Sequence, residues 1–402
     1  MMGDMLTRRG MLKGAGVMAC SAAAHPLMTG VTFAAAPWDA RLVVLILRGG
    51  MDGLDAVRPV GDPGFAAMRP GVGGDGVDLD GYYEMHPGLR ALAPMWKSGE
   101  LGFVQAVSTP YRDKRSHFDG QDLLEAGTAM DAPIARDGWL NRMLQTVPGL
   151  EGETAFAIGQ DSLKILSGPA EVANWAPSLR MALTPQAELL LGHIYEDDPL
   201  FHAAADQAMT LANGLAAEAE RGEAAEGEMM AMMEEQGGRS ERALAAFAAD
   251  RLNRDTRIAA FSITGWDTHR DQAGPLTRRL ERLAEVILTL KQGLGPNWGK
   301  TTVLAITEFG RTVRINGSRG TDHGTGGAML LAGGAVRGGQ VYGRWPGLAE
   351  ADLYDRRDLM PTGDVRAYAA WAMRGAFGLD RGVLEQTVFP GLEMGGDPGV
   401  IL

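Results

Sequence analysis

Four short apolar runs, each broken off by a cluster of polar residues, constrain this chain more than anything else in it. Leu42 to Leu47 (LVVLIL) leads into RGGMDGLD, and Leu101 to Val107 (LGFVQAV) into STPYRDKRSH. Arg257 to Ile263 (RIAAFSI) leads into TGWDTHRDQ, and Thr301 to Ile306 (TTVLAI) into TEFGRT. Runs of this length without polar alternation are what strands covered on both faces look like, as in parallel sheets packed between helices. Helical patterns stand among them: Leu89 to Trp96, a segment from about Phe118, Leu276 to Leu290, and a closing helix from about Asp364. The expected fold class is therefore α/β, with a central, mostly parallel sheet between helices. In such sheets functional groups gather at the carboxyl ends of the strands, which would place all four polar clusters on one edge.

The densest interval is Thr301 to Ala335. Glu308 and Arg311 follow the strand at once, and after a Gly/Asn/Ser turn TDHGTGG sets a carboxylate beside His323 among glycines. Ala328 to Ala332 then forms a further apolar run. Earlier exits present Arg48, Asp52 and Asp55, then Ser116 and His117, then Asp267 and His269. Carboxylates and imidazoles recurring at strand exits suit a divalent metal, and a hydroxyl at a helix start suits attack on a phosphorus or sulfur ester. Plainer readings stand beside these. Arg48, Asp52 and Asp55 fit solvated charges on a Gly-rich turn, and Ser116 fits a helix cap as well as a nucleophile in the field of a helix N-terminus. Arg112, Lys114 and Arg115 favour an anion nearby on either reading of Ser116.

The first residues carry a different message. TRRGMLK is followed by an uncharged small-residue run from Gly14 to Ala24 and by Ala34, Ala35 and Ala36 ahead of Pro37. This pattern predicts a twin-arginine export signal over 1–36, a partnership with that export machinery, and a periplasmic or secreted destination for 37–402. Three of the 38 basic and one of the 50 acidic residues fall in the signal, leaving 35 basic, 49 acidic and a net charge of −14. That balance excludes nucleic acid as an expected partner and leaves an anionic ester to be bound by local, not global, charge. Cys20, the only cysteine, lies in the signal, so neither disulfides nor thiol chemistry are expected beyond it. A lipid anchor at Cys20 is poorly served by Met18 and by the shortness of the apolar run before it. No later stretch is long and apolar enough to predict a membrane span.

The rest of the chain sorts by composition. Pro59 to Pro87 is rich in Gly, Asp and Pro without periodicity, and is expected as a long surface excursion. Ala155 to Ile158 fits another strand, and Asp137 to Arg142 a loop leading into a helix. From about 189 to 252 Ala, Glu and Met dominate, which predicts a helical excursion whose methionines, including the run Met229 to Met233, serve packing.

Taken together, the twin-arginine signal, LVVLILRGGMDGLDAVRP, HPGL, RSHFDGQDLLEAG, GWDTH, TEFGRT, NGSRGTDHGTGGAMLLAGGAVRGG and VYGRWPGL resemble domain-of-unknown-function family 1501. That family is grouped with the alkaline-phosphatase and sulfatase superfamily. The resemblance implies a sheet between helices and an exported metallohydrolase with one or two divalent ions, whether zinc, manganese, magnesium or calcium. It implies Ser116 as nucleophile and Asp267, His269, Glu308 and His323 as metal ligands; Asp52 is a further candidate ligand, and Arg48 and Arg311 are expected to hold the anion. The chain also departs from the superfamily's pattern. Arg48 or Gly49 stands where a first-strand aspartate is usual, Glu308 is followed by Phe309 and not by histidine, and Asp267 and His269 are unusually close together. A binding or assembly protein that keeps the fold without catalysis is the alternative expectation.

Overall fold

Residues alternate along β1 (Arg41–Arg48), with Val43, Leu45 and Leu47 packing into one hydrophobic core and Leu42, Val44 and Ile46 into another. A strand with both faces apolar is stable only inside a covered sheet, and β1 sits in the middle of one. The computed structural model describes residues 38–112, 115–129, 137–147, 154–158, 163–175 and 241–402. The expected signal over 1–36, the excursion from 189 to 240 with its methionine run, Lys114 and His202 lie outside the described residues.

The main sheet also contains β5 (Leu101–Ser108), β6 (Ala155–Ile158), β7 (Ala173–Trp175), β8 (Ile258–Thr264), β9 (Thr301–Ile306), β10 (Gly327–Ala332) and the two-residue strands β11 (Val341–Tyr342) and β12 (Gly363–Asp364). Its order is β11-β5-β10-β9-β1-β8-β6-β7, with β12 also paired to β5. The pairs of β1 with β8 and β9, of β6 with β7 and β8, and of β5 with β11 and β12 are all parallel. β10 alone runs against its neighbours β5 and β9. The carboxyl ends of β5, β9, β1 and β8 therefore share an edge, and the amino end of β10 joins them there.

One face is covered by α4 (Ala273–Leu294), whose Leu276, Leu280, Leu283, Ile287, Leu290 and Leu294 recur at helical spacing on the buried side, together with α3 (241–252). The other is covered by α2 (Trp139–Gln145) and α5 (Val365–Phe377). α1 (His117–Ala126) lies at the exit of β5 and ends on Gly127, whose φ of +65° closes the helix. No helix among the described residues is long and apolar enough to cross a membrane.

The stretch from Pro59 to Pro87 is more than a surface excursion. It carries β3 (Val77–Asp78) and β4 (Glu84–Met85), which form an antiparallel sheet with β2 (Val57–Arg58), and it buries Phe65, Arg69, Met85 and His86. Two-residue strands are too short to display a period, and Arg69 is buried because it has an ionic partner there. Neither fact can be seen in the pattern of apolar residues.

Candidate metal centre

The four strand exits meet as the sheet requires, and they are pinned by arginine. Arg311, 1% exposed, donates from Nε to Gly50 O (2.6 Å), from Nη1 to Thr321 O (3.1 Å), and from Nη2 to Gly49 O (2.5 Å), Trp266 O (3.0 Å) and Asp267 Oδ1 (2.6 Å). The guanidinium thus ties the exits of β1 and β8 to the loop before β10 and fixes the Asp267 carboxylate. Gly49 allows the approach. Its φ is +123°, and a Cβ there would stand 2.6 Å from the Asp267 nitrogen.

Around Asp267 three imidazoles converge, each held through its Nδ1. His117 Nδ1 meets Glu308 Oε1 at 2.8 Å, His269 Nδ1 meets Asp322 Oδ1 at 3.2 Å, and His323 Nδ1 meets the Arg115 carbonyl at 2.8 Å. Carboxylates and carbonyls only accept, so each Nδ1 serves as a donor, and in the neutral ring that tautomer leaves Nε2 as the lone-pair atom. Those lone pairs point inward. His269 Nε2 and His323 Nε2 are 3.0 Å apart, and they lie 3.0 and 3.2 Å from Asp267 Oδ1. His117 Nε2 is buried, has no hydrogen-bond partner, and lies 3.4 Å from Asp267 Oδ2. Ligand atoms of His117, Asp267 and His323 all fall within 4.8 Å of one another.

This donor set fits a metal ion on three counts. Facing lone pairs at 3.0 Å repel unless a cation lies between them. The buried orphan nitrogen of His117 lacks a partner that an ion would supply. Each imidazole Nε2 also lies 3.0–3.4 Å from an Asp267 oxygen, close to the roughly 3.3 Å that separates two ligands on one ion with bonds of ~2.0–2.1 Å. Carboxylate or carbonyl partners on the outer nitrogen are the usual support for a ligating histidine. Phe309, buried against Tyr111, packs 5.0 Å from the His117 ring and 4.9 Å from that of His323 and keeps water from their inner side. Asp267 remains half exposed, so the cluster opens to solvent on one side.

The electrostatics follow the same contacts. The hydrogen bond to Glu308 raises the His117 pKa above the ordinary imidazole value, whereas burial lowers that of His323. Burial pushes Asp267 up, but its bond from Arg311 and the neighbouring cationic charge bring it below the usual carboxylate range. Glu308 is wholly buried. Burial is again more than offset, here by donors from His117, Gln121 and Gly49.

Of the residues expected from sequence, Asp267, His269 and His323 come together as a cluster. Glu308 stands one step behind, holding His117, because three donors already converge on its Oε1. Asp52 lies outside the cluster. It caps the short helix Gly53–Ala56 and forms a buried double hydrogen bond with Arg69, at 2.7 and 3.1 Å, leaving no oxygen for an ion. Arg48 turns to Gln121 (2.8 Å) and Glu125 (2.8 Å), and the donors of Arg311 are spent inside the protein, so neither reaches an anion in this arrangement. Ser116 is the cap of α1, its Oγ accepting from Asp119 N at 3.4 Å, one residue before His117. His117 itself was not among the sequence candidates for a ligand. Its sequence signal is its place just beyond a strand exit, as for Asp267 and Glu308, but a histidine following a capping serine fits a helix start equally well.

Residues 106–385 match the family described as protein of unknown function (DUF1501), and the chain belongs to that family. This bears out the resemblance read from the motifs. No curated protein matches the chain. Three of the solved structures to which it is distantly similar illustrate the likeness. One is the C-terminal periplasmic domain of EcEptC from Escherichia coli in complex with Zn, at 10% identity over 73% of both chains and a TM-score of 0.35. Another is the lipoteichoic acid synthase LtaP from Listeria monocytogenes, at 9% identity over 90% of this chain and 78% of that one, with a TM-score of 0.37. The third is a protein in the alkaline phosphatase superfamily from Vibrio parahaemolyticus, at 8% identity over 74% of this chain and 62% of that one, with a TM-score of 0.31.

Proposed function

We propose that this protein is an exported, divalent-metal-dependent hydrolase of a phosphate or sulfate ester, with His117, Asp267, His269 and His323 holding the ion. The observation that carries the proposal is the set of three imidazoles, each anchored through Nδ1 and turning Nε2 toward one carboxylate. Three nitrogens and one carboxylate favour zinc over manganese, magnesium or calcium, which prefer oxygen-rich sites. When bound, the ion supplies a Lewis acid that polarises an ester oxygen or acidifies a water. The chain's own contribution is preorganisation. Glu308, Asp322 and the Arg115 carbonyl fix the tautomers, Arg311 holds Asp267 in place, and Phe309 excludes water behind the rings. The Ser116 hydroxyl accepts the Asp119 N–H and keeps its own proton free to give up as a nucleophile.

The test is metal content and turnover in one preparation. Protein purified from the exporting host should carry divalent metal, His117→Ala should lose it, and metal-loaded wild type should hydrolyse an aryl phosphate, a phosphodiester or an aryl sulfate. Ser116→Ala should then abolish turnover while retaining metal. Absence of bound metal in wild type would sink the proposal.

A second reading, a binding or assembly protein stabilised by its metal, is favoured by one observation. The two arginines expected to hold an anion are engaged internally. Stoichiometric metal that raises the melting temperature, without turnover of any of the three esters, would select it.

A further inference from the structure

We propose that Gln272 is a positioning residue for the metal centre, setting the distance between the two loops that carry Asp267, His269 and His323; the inference rests on the metal reading above. Gln272 precedes α4 and is buried, touching none of the ligands itself. Its Oε1 accepts from Thr268 Oγ1 (3.0 Å) and from Thr321 Oγ1 (2.6 Å). Thr268 sits between Asp267 and His269, and Thr321 stands two residues before His323. One carbonyl oxygen therefore clasps both ligand-bearing loops, reinforcing the backbone bonds from Thr321 N to Thr268 O (3.2 Å), Asp271 N to Ser318 O (3.0 Å) and Gln272 N to Arg319 O (2.9 Å) and the tie made by Arg311.

The other end of the same amide is anchored. Nε2 donates to Asp52 Oδ2 (2.7 Å) and Asp55 Oδ2 (3.3 Å), and Asp52 is held by Arg69, which also binds the carbonyls of Thr312 (2.9 Å) and Val313 (2.6 Å). Two carboxylates demand a donor on one side, and two hydroxyls are satisfied by an acceptor on the other. Only one orientation of the amide meets both demands, so the group cannot flip. A carboxylate in its place would face Asp52 and Asp55 with like charge. An apolar side chain would take a partner from each of four polar atoms, of which Asp52 Oδ2 would keep its bond from Arg69. The Asp52–Arg69 pair, which holds no ion, thereby gains a role. It is the fixed post from which Gln272 sets both loops.

The experiment uses the full chain, with zinc affinity measured by chelator competition and the visible spectrum of the cobalt(II) form as a reporter of ligand geometry. Gln272→Met, which keeps the length and removes both hydrogen-bonding ends, should weaken zinc binding ~10- to 100-fold, the range for lost outer partners of metal ligands. It should also shift the cobalt bands. The melting temperature of the metal-free protein is read alongside. A lower metal-free melting temperature with zinc affinity and cobalt spectrum unchanged would show a merely structural residue and overturn the proposal. Should Gln272→Met fail to fold, Thr268→Val and Thr321→Val each remove one clasp alone. Both are expected to weaken zinc and shift the bands, and unchanged values in both would equally overturn it. Wild type that binds no zinc would remove the metal reading and this inference together, whereas zinc binding indifferent to these variants removes this inference only.

Discussion

Glu308 shows how one buried carboxylate is worth more behind a ligand than as one. It accepts from Gly49 N, His117 and Gln121 with no exposure to solvent, and so holds His117 as the tautomer whose Nε2 is free. Glu308→Gln keeps the shape but removes the charge, and should weaken metal binding ~10- to 100-fold with little change in the metal-free melting temperature. Chelator competition measures it; full affinity in the variant would deny Glu308 this role. Asp52 gives the pH dependence. Burial raises its pKa, but the charge and hydrogen bonds of Arg69, with Gln272, outweigh that and hold it below the ordinary carboxylate value. A folded pKa below the unfolded one means that its stabilisation is complete above about pH 4 and is lost as pH falls through the folded value. Denaturant midpoints in excess chelator should accordingly fall on acidification, and fall less in Asp52→Asn. At neutral pH that variant should be less stable by ~3–5 kcal/mol, since Arg69 stays buried without its partner.

At the scale of elements, the centre depends on loops packed backbone to backbone. A Cβ on Gly320 would stand 2.2 Å from the carbonyl carbon of His269 and 2.3 Å from its oxygen, so the loop before β10 lies directly on the exit of β8. Gly320→Ala should push the two apart, costing ~1–3 kcal/mol as overpacking and lowering metal occupancy along with it. Unfolding midpoints and metal content check both parts, and unaltered metal content would show that the loop can shift without moving His323. The strands behind these loops were legible as elements. LVVLIL, LGFVQAV, RIAAFSI and TTVLAI became β1, β5, β8 and β9 to within a residue or two, because a strand covered on both faces must be apolar throughout. The strands between Val57 and Met85 were not, since two residues show no period.

For the whole molecule, the proposed export makes delivery part of the function. Paired guanidinium groups are what the twin-arginine receptor reads, so replacing Arg8 and Arg9 by Lys should leave the precursor in the cytoplasm. Fractionation and immunoblotting decide it, and normal export of that variant would refute the signal. A site drawn from the exits of β5 and β8 and the loop entering β10, spread from residue 117 to residue 323, forms only when the sheet is complete. Metal binding and global folding are therefore expected to be linked, each stabilising the other.

The sequence by itself determined the sheet's strands, the kind of edge they share, and three of the converging side chains, because apolar runs and the chemistry of Asp and His are properties of residues. Tertiary structure decided the rest. It set β10 against its neighbours, so that His323 enters at the same edge as the carboxyl ends of β8 and β9. It selected His117 beside the capping Ser116, moved Glu308 back by one imidazole, and drew Asp52, Arg48 and Arg311 into internal pairs. The physical reason is that a polar side chain's role is fixed by which partner its last atom meets. At strand exits, that partner comes from another part of the chain.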